Sequence, residues 1–208
     1  QMFVDGKRLT NVEQDALRRE TAWVDPGIQI WNRSFLENLG YATEDEGLLR
    51  TGRTIDAANL RGVLQKLPEG LQTYLGEGGG LLSGGEGQRV RLARALLQTK
   101  VRLALLDEPF RGMDRGQRSA LLADARRWWK DVTLLCVTHD VGETLAFNRV
   151  LVIEDGRIVE DGMPAQLAAG PSRYRELLDA EILVRDQMWK GKQWRRIQMQ
   201  NGCVESAL

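Results

Sequence analysis

Two cysteines, five prolines and one histidine are all that the 208 residues hold of those three types. Cys136 lies inside an apolar run and Cys203 near the C-terminus, so a disulfide framework is not expected and a reducing compartment fits. Long apolar runs are missing as well. No stretch approaches the roughly 18 apolar residues of a membrane-spanning helix, and residues 1–10 carry no apolar core of a secretory leader. There is no excess of either charge, because Lys plus Arg and Asp plus Glu both total 29. That balance argues against nucleic acid as the main partner, which would favour a basic surface. No internal repeat and no low-complexity linker is present. What remains is ordinary globular composition, 42% hydrophobic and 28% charged, with glycines clustered where loops need close backbone approach.

Hydrophobic patterning places the elements. Met2 to Val4, then Asp5-Gly6, reads as a short strand and turn. Asn11 to Arg19 has helical spacing, with Val12, Ala16 and Leu17 on one side. Thr21 to Val24 reads as a buried strand stopped by Asp25-Pro26-Gly27. From Ser34 to about Leu97 the pattern is mostly helical: Ser34 and Glu37 have capping-box spacing, Asp56 to Leu67 reads as one helix closed by Pro68 and Gly70, and a glycine-rich stretch precedes a helix over Gln88–Leu97. Val101–Leu106 and Val132–Val137 are apolar runs expected to be buried on both faces. Between them, Gly116–Lys130 is helical, and Val141–Asn148 can form a short helix. Val150–Glu160 reads as a hairpin turning at Asp155-Gly156, and Leu177–Gln200 as a basic, Trp-containing helical tail with Trp189, Lys190, Lys192, Trp194, Arg195 and Arg196. That tail suits either packing on its own domain or a partner or membrane surface. Strands alternating with helices imply an α/β fold with a mostly parallel sheet.

Four motifs carry chemistry. In Leu82-Ser83-Gly84-Gly85-Glu86-Gly87-Gln88-Arg89, a serine and glycines at a helix start offer unobstructed N–H groups and a hydroxyl to an anion; alone, the stretch reads as a glycine-rich turn with a serine N-cap. Leu103–Leu106 drives a strand whose end presents Asp107 and Glu108, and ligands of open α/β sheets bind at that end. One carboxylate can hold Mg2+, usually through water, and its neighbour can orient and deprotonate a water. Asp114 sits at a helix start, where an N-cap is the plain alternative. His139 follows the second apolar strand; a lone histidine is more often structural, but beside the carboxylate pair it is a candidate for sensing a terminal phosphate.

In this order the motifs resemble those of the ATP-binding-cassette (ABC) ATPases. Leu82–Arg89 resembles the LSGGQ signature, with Glu86 in place of its glutamine, and Arg89–Ala95 resembles the helix that follows it. Leu103–Glu108 is similar to the Walker B strand, Asp114 falls at the D-loop aspartate and His139 at the switch histidine. The resemblance spans roughly residues 1–180. It implies a P-loop NTPase-like (RecA-like) core with an inserted α-helical signature subdomain. The core would begin in residues 1–26 and resume over 98–165, the helical subdomain would occupy 27–97, and a helical tail 166–208. It further implies ATP and Mg2+ as ligands and a second ABC ATPase domain as dimer partner. Leu82, Ser83, Gly84, Gly85, Glu86 and Gln88 would face the ATP of the opposite subunit. Asp107 would position Mg2+, Glu108 would act as general base, His139 would contact the γ-phosphate, and Asp114 would couple the two sites.

Two departures qualify the resemblance. The phosphate-cradling string G-x-x-x-x-G-K-S/T is absent from the 208 residues. In the family it precedes the strand that Met2–Val4 resembles, so the chain is expected to begin after it and, alone, not to hydrolyse ATP. Pro26 stands where the family's Q-loop glutamine is expected, with Gln29 nearby as a substitute toward the metal. Leu75-Gly76-Glu77-Gly78-Gly79 and Trp31–Leu39 resemble exporter stretches. They imply a transmembrane domain fused N-terminally and a location at the cytoplasmic face of a membrane. The alternative is a soluble or degenerate ABC ATPase serving as a regulatory or binding module.

Overall fold

The computed structural model describes residues 3–4, 6–41, 43, 49–190, 197–200 and 203–206, the side chains from 188 onward excepted. The chain forms two compact units, residues 1–139 and 140–208.

The first unit opens with an antiparallel pair, β1 (Phe3–Val4) and β2 (Lys7–Arg8), turning at Gly6 with φ +74°; Met2 and Asp5 lie outside the described residues. Helix α1 (Asn11–Arg19) starts at a reciprocal cap, Thr10 Oγ1 accepting from the Glu13 N–H and the Glu13 carboxylate accepting from the Thr10 N–H. Two donors that a helix start leaves unpaired are thereby satisfied. Strand β3 (Thr21–Val24) pairs in parallel with β4 (Leu103–Asp107), which pairs in parallel with β5 (Thr133–Val137). The order β3-β4-β5 places the Asp107 strand in the centre. This parallel sheet with its helices is the α/β architecture anticipated above.

Register decides which side chains share a face. Ala22 lies beside Ala104, and Val24 beside Leu106, and all four are 0–1% exposed. The next residues point the other way. Trp23, beside Leu105 and through it Leu135, is 54% exposed, Leu135 49% and Val137 52%. Burial on both faces is therefore corrected to burial on one. A continuous apolar run makes both faces suited to burial; it does not supply the layer that buries the second.

Between β3 and β4 run α2 (Phe35–Gly40), α3 (Thr51–Ala57), α4 (Arg61–Leu64) and the long α5 (Gly84–Leu97). Ser34 and Glu37 make the expected capping box on α2. The single helix expected over Asp56–Leu67 is instead the end of α3, a break, and α4. Asn59 adopts φ +51°, the Leu60 N–H reaches the Ile55 carbonyl at 2.8 Å and the Asn59 N–H that of Asp56 at 3.0 Å. This is a Schellman stop with asparagine in glycine's usual place. Helix α5 begins four residues earlier than its apolar spacing suggests. Its Ser83–Glu86 box and the burial of Gly87 outweigh the poor helix propensity of three glycines. Helix α6 (Arg115–Trp128) joins β4 to β5 and buries Leu121, Leu122 and Ala125.

In the second unit, α7 (Val141–Thr144) is shorter than expected, and β6 (Val150–Glu154) and β7 (Arg157–Gly162) form the anticipated hairpin. Its Asp155-Gly156 turn has positive φ at both residues, +49° and +73°, the twist that two-residue hairpins prefer. Proline starts α8 (Pro164–Ala169), and α9 (Arg173–Lys190) anchors through the buried Tyr174, whose hydroxyl lies 2.8 Å from Thr144 Oγ1. A helix continuing to Gln200 is corrected. α9 is described to Lys190, and β8 (Ile197–Gln200) pairs antiparallel with β9 (Cys203–Ser206). Asn201-Gly202 between them is a hairpin signal that overrides the basic helical texture. The tail's Lys192, Trp194, Arg195 and Arg196, and the side chains of Trp189 and Lys190, lie outside the described residues. Among the described residues no helix is long and apolar enough to cross a membrane.

The one-sided sheet yields a prediction. Leu106→Ala lowers the unfolding free energy by about 2–5 kcal/mol in urea titrations. Leu135→Ala on the open face changes it by less than about 1 kcal/mol.

Candidate functional site

Parallel pairing brings the carboxyl ends of β4 and β5 side by side. Asp107 is level with Val137, and the Glu108 N–H extends the ladder by donating to the Val137 carbonyl at 2.9 Å. The two strands thus release Glu108 and His139 next to each other, and His139 Nε2 contacts Glu108 Oε1. His139 is exposed while Glu108 is partly covered, at 87% and 27% of their side-chain surfaces. Glu108 holds φ +40°, a left-handed conformation that costs a non-glycine residue on the order of 1 kcal/mol or more and concentrates at functional sites. Asp107 is exposed at the same edge.

Among the described residues no three His, Cys, Asp or Glu side chains gather to cage a metal. A lone carboxylate edge nevertheless suits Mg2+, which keeps waters and commonly binds through one or two carboxylates and substrate phosphates.

Beyond Glu108 the chain turns through Gly112, φ +80°, into buried Met113. Asp114 then caps α6, its Oδ1 accepting from the Gln117 N–H at 3.0 Å. Met113 lies against the start of α5: a Cβ on Gly85 would sit 3.4 Å from Met113 Cγ.

At that start Ser83 is exposed, and Gly84 has open space where a Cβ would be. Helix geometry leaves the Gly84 and Gly85 N–H groups without intrahelical acceptors, so an anion approaching from outside meets bare amides at the positive helix end. Glu86 is turned back on the helix, accepting from the Ser83 N–H at 2.9 Å and facing Lys66 Nζ at 3.4 Å. The Ser83 main-chain hydrogen bond, more than its hydroxyl or Lys66, holds the Glu86 carboxyl below the usual carboxylate range. Leu82 is half-buried. Gln88 is 4% exposed, with Oε1 lacking a hydrogen-bond partner, so its side chain points into the subunit rather than outward.

The reading of motifs missed two arginines of α5. Arg91 Nε donates to the Ile28 carbonyl at 2.5 Å. Arg94, 7% exposed, donates to the carbonyls of Asn38 at 2.8 Å and Gln29 at 3.1 Å and to Asn38 Oδ1 at 3.3 Å. Its guanidinium also lies 4.7 Å from the Trp31 ring centroid and 5.8 Å from that of Tyr41, within cation–π range. Burial pushes Arg94 down to about 10, still charged at neutral pH. Gln29 therefore meets Arg94 through its main chain, and its residue is exposed. One signal was available: Arg94 falls on the α5 stripe shared with Val90 and Leu97, which faces inward.

Residues 1–111 match the family model described as ABC transporter, more than half of the chain, and the protein belongs to the ABC transporter family. An ATP-dependent lipid A-core flippase of Vibrio parahaemolyticus is 34% identical over 177 residues, 84% of this chain and 30% of its own length. The heterocyst differentiation ATP-binding protein HepA of Nostoc is 30% identical over 97% of this chain and 30% of its own. A solved bacterial Atm1-family ABC exporter with ATP bound superposes with a TM-score of 0.80 at 25% identity, covering 86% of this chain and 32% of that one. The chain spans about 30% of the length of the curated relatives it matches.

The Glu86 contact predicts an acid-side signature. Because its folded pKa is lowered, the unfolded chain binds the proton more readily. The stabilisation is full above the ordinary carboxylate value of about 4.3 and is lost as pH falls through the folded value. Glu86→Gln removes that component, so denaturation curves between about pH 5 and 3 are flatter in the variant than in the parent.

Proposed function

We propose that this chain is the greater part of an ATP-hydrolysing cassette that powers export across a membrane. In this reading residues 1–26 and 98–165 belong to the nucleotide-binding core, 27–97 to the helical signature subdomain and 166–208 to the tail. The observation that supports it is the Glu108–His139 contact at the carboxyl ends of β4 and β5, next to Asp107.

Glu108 accepts a proton from the water that attacks the terminal phosphate of ATP, as general bases do within hydrogen-bond reach. His139, exposed beside it, holds that phosphate and keeps Glu108 oriented. Ser83, Gly84 and Gly85 present N–H groups and a hydroxyl to the ATP of a second cassette, with Leu82, Glu86 and Gln88 shaping the turn. Asp114, one residue after the Met113 that touches Gly85, links the two sites. Mg2+, when bound, neutralises phosphate charge; Asp107 would hold it through water, with Gln29 a second candidate. Two cassettes around a two-fold axis close on ATP and open after hydrolysis. That motion drives a transmembrane domain, fused N-terminally, from the cytoplasmic face. The relatives are named for lipid A-core, for heterocyst differentiation and for the Atm1 family, so the names agree on no one cargo.

A second reading, a degenerate cassette that only regulates a partner, draws on Pro26 at the Q-loop position. One variant separates the two. In a polypeptide that supplies a P-loop ahead of this chain, Glu108→Gln slows ATP hydrolysis by about 10²-fold or more and accumulates an ATP-dependent dimer. Parent-like turnover in the variant removes Glu108 from the role of base, whereas a parent without turnover favours the regulatory module.

A further inference from the structure

Away from the signature and the Asp107 edge, a second concavity opens where α3 meets the end of α6. It encloses about 520 Å3 and is lined by Arg50, Arg53, Asp124, Arg127, Trp128 and Lys130, together with a small apolar side chain. Among the described residues its lining holds four cations, from segments about 70 residues apart in sequence, and one carboxylate. That carboxylate, Asp124, is already engaged by Arg127. Lys130 lies 3.8 Å from Asp131, both side chains being largely exposed. Among the described residues Arg50 and Arg53 have no carboxylate partner. The Arg53 guanidinium sits over the half-buried Trp128 ring, 5.9 Å from its centroid.

A solvated charge pattern spreads like charges apart; this one gathers them around a hollow, where their repulsion calls for an anion. The aromatic face restrains the Arg53 fork before anything binds, which lowers the ordering cost of binding. Planar guanidinium forks match phosphate oxygens in bidentate fashion. The volume lies in the range of small-molecule sites and is too large for a single phosphate. We propose that this cleft binds a diphosphate-bearing anion at a site separate from the ATP site. None of Ser83, Asp107, Glu108 or His139 lines it. The anion's source is either dissolved diphosphate, as in a nucleotide, or a lipid headgroup that itself carries a diphosphate.

The test titrates inorganic pyrophosphate into the 208-residue chain by calorimetry. The parent is compared with Arg50→Ala/Arg53→Ala and with Arg18→Ala/Arg19→Ala, a remote cationic pair on α1. A parallel arm measures co-sedimentation with phosphatidylcholine vesicles that carry CDP-diacylglycerol, a lipid with a diphosphate headgroup. The expected result is saturable pyrophosphate binding that weakens about tenfold or more in the Arg50/Arg53 variant and is unchanged in the α1 variant. Saturable binding to vesicles only, with the same arginine dependence, assigns the phosphate to a lipid headgroup and equally supports the cleft. Binding in neither arm overturns the proposal, as does binding that the Arg50/Arg53 variant retains in full. Both arginines are exposed, so truncation leaves the core intact. Arg50→Gln/Arg53→Gln reads the same quantity should the alanine pair fail to fold.

Discussion

A buried positive charge that has no carboxylate partner among the described residues holds the signature helix in place. Arg94 sits in the protein interior, its charge answered, among the described residues, by two main-chain carbonyls, the Asn38 amide oxygen and two aromatic faces. An unsatisfied ion there would be strongly destabilising, so each contact is obligatory. Asn38 closes the arrangement from the other side, its Oδ1 accepting from the Trp31 N–H at 2.9 Å and its Nδ2 donating to the Trp31 carbonyl at 3.0 Å. Close packing completes it: a Cβ on Gly79 would lie 3.0 Å from Ile30, and one on Gly87 3.3 Å from the same side chain. The segment leaving β3, the turn before the signature and the signature helix are fastened to one another at these points.

That fastening connects two kinds of chemistry in one chain. The sheet register delivers Asp107, Glu108 and His139 to a single edge, and the loop from that edge carries Met113 to the start of α5. On the proposed reading, the edge serves one nucleotide and the bare amides of Gly84 and Gly85 serve another, so a pair of cassettes completes each site. The left-handed Glu108 marks where backbone comfort yields to placement of a carboxylate.

What could be read from the sequence was what is encoded locally. The Ser34 cap lies three residues from its glutamate, Ser83 offers itself as an N-cap, the Asp155-Gly156 turn announces its hairpin, and the apolar runs Thr21–Val24 and Val132–Val137 stand out as strands. What escaped depends on partners far along the chain, or on a minority conformation. Arg94 meets residues 56 and 65 positions away, and nothing in its own helix names them. Asn59 breaks a helix by adopting a backbone conformation that asparagine takes only sometimes. Gln88 belongs to a motif read as facing nucleotide, yet helical rotation turns it inward. The open sheet face was invisible because apolar sequence records suitability for burial and not the presence of a cover.

The measurement that bears most directly on this account is amide hydrogen exchange on the parent chain and on Arg94→Met, which keeps bulk while removing the fork. If Arg94 fastens the two segments, residues 28–40 and 84–97 lose protection together, by about tenfold or more, while the amides of β3, β4 and β5 keep theirs. Loss confined to the few amides around residue 94, or an equal loss across the whole first unit, would contradict it.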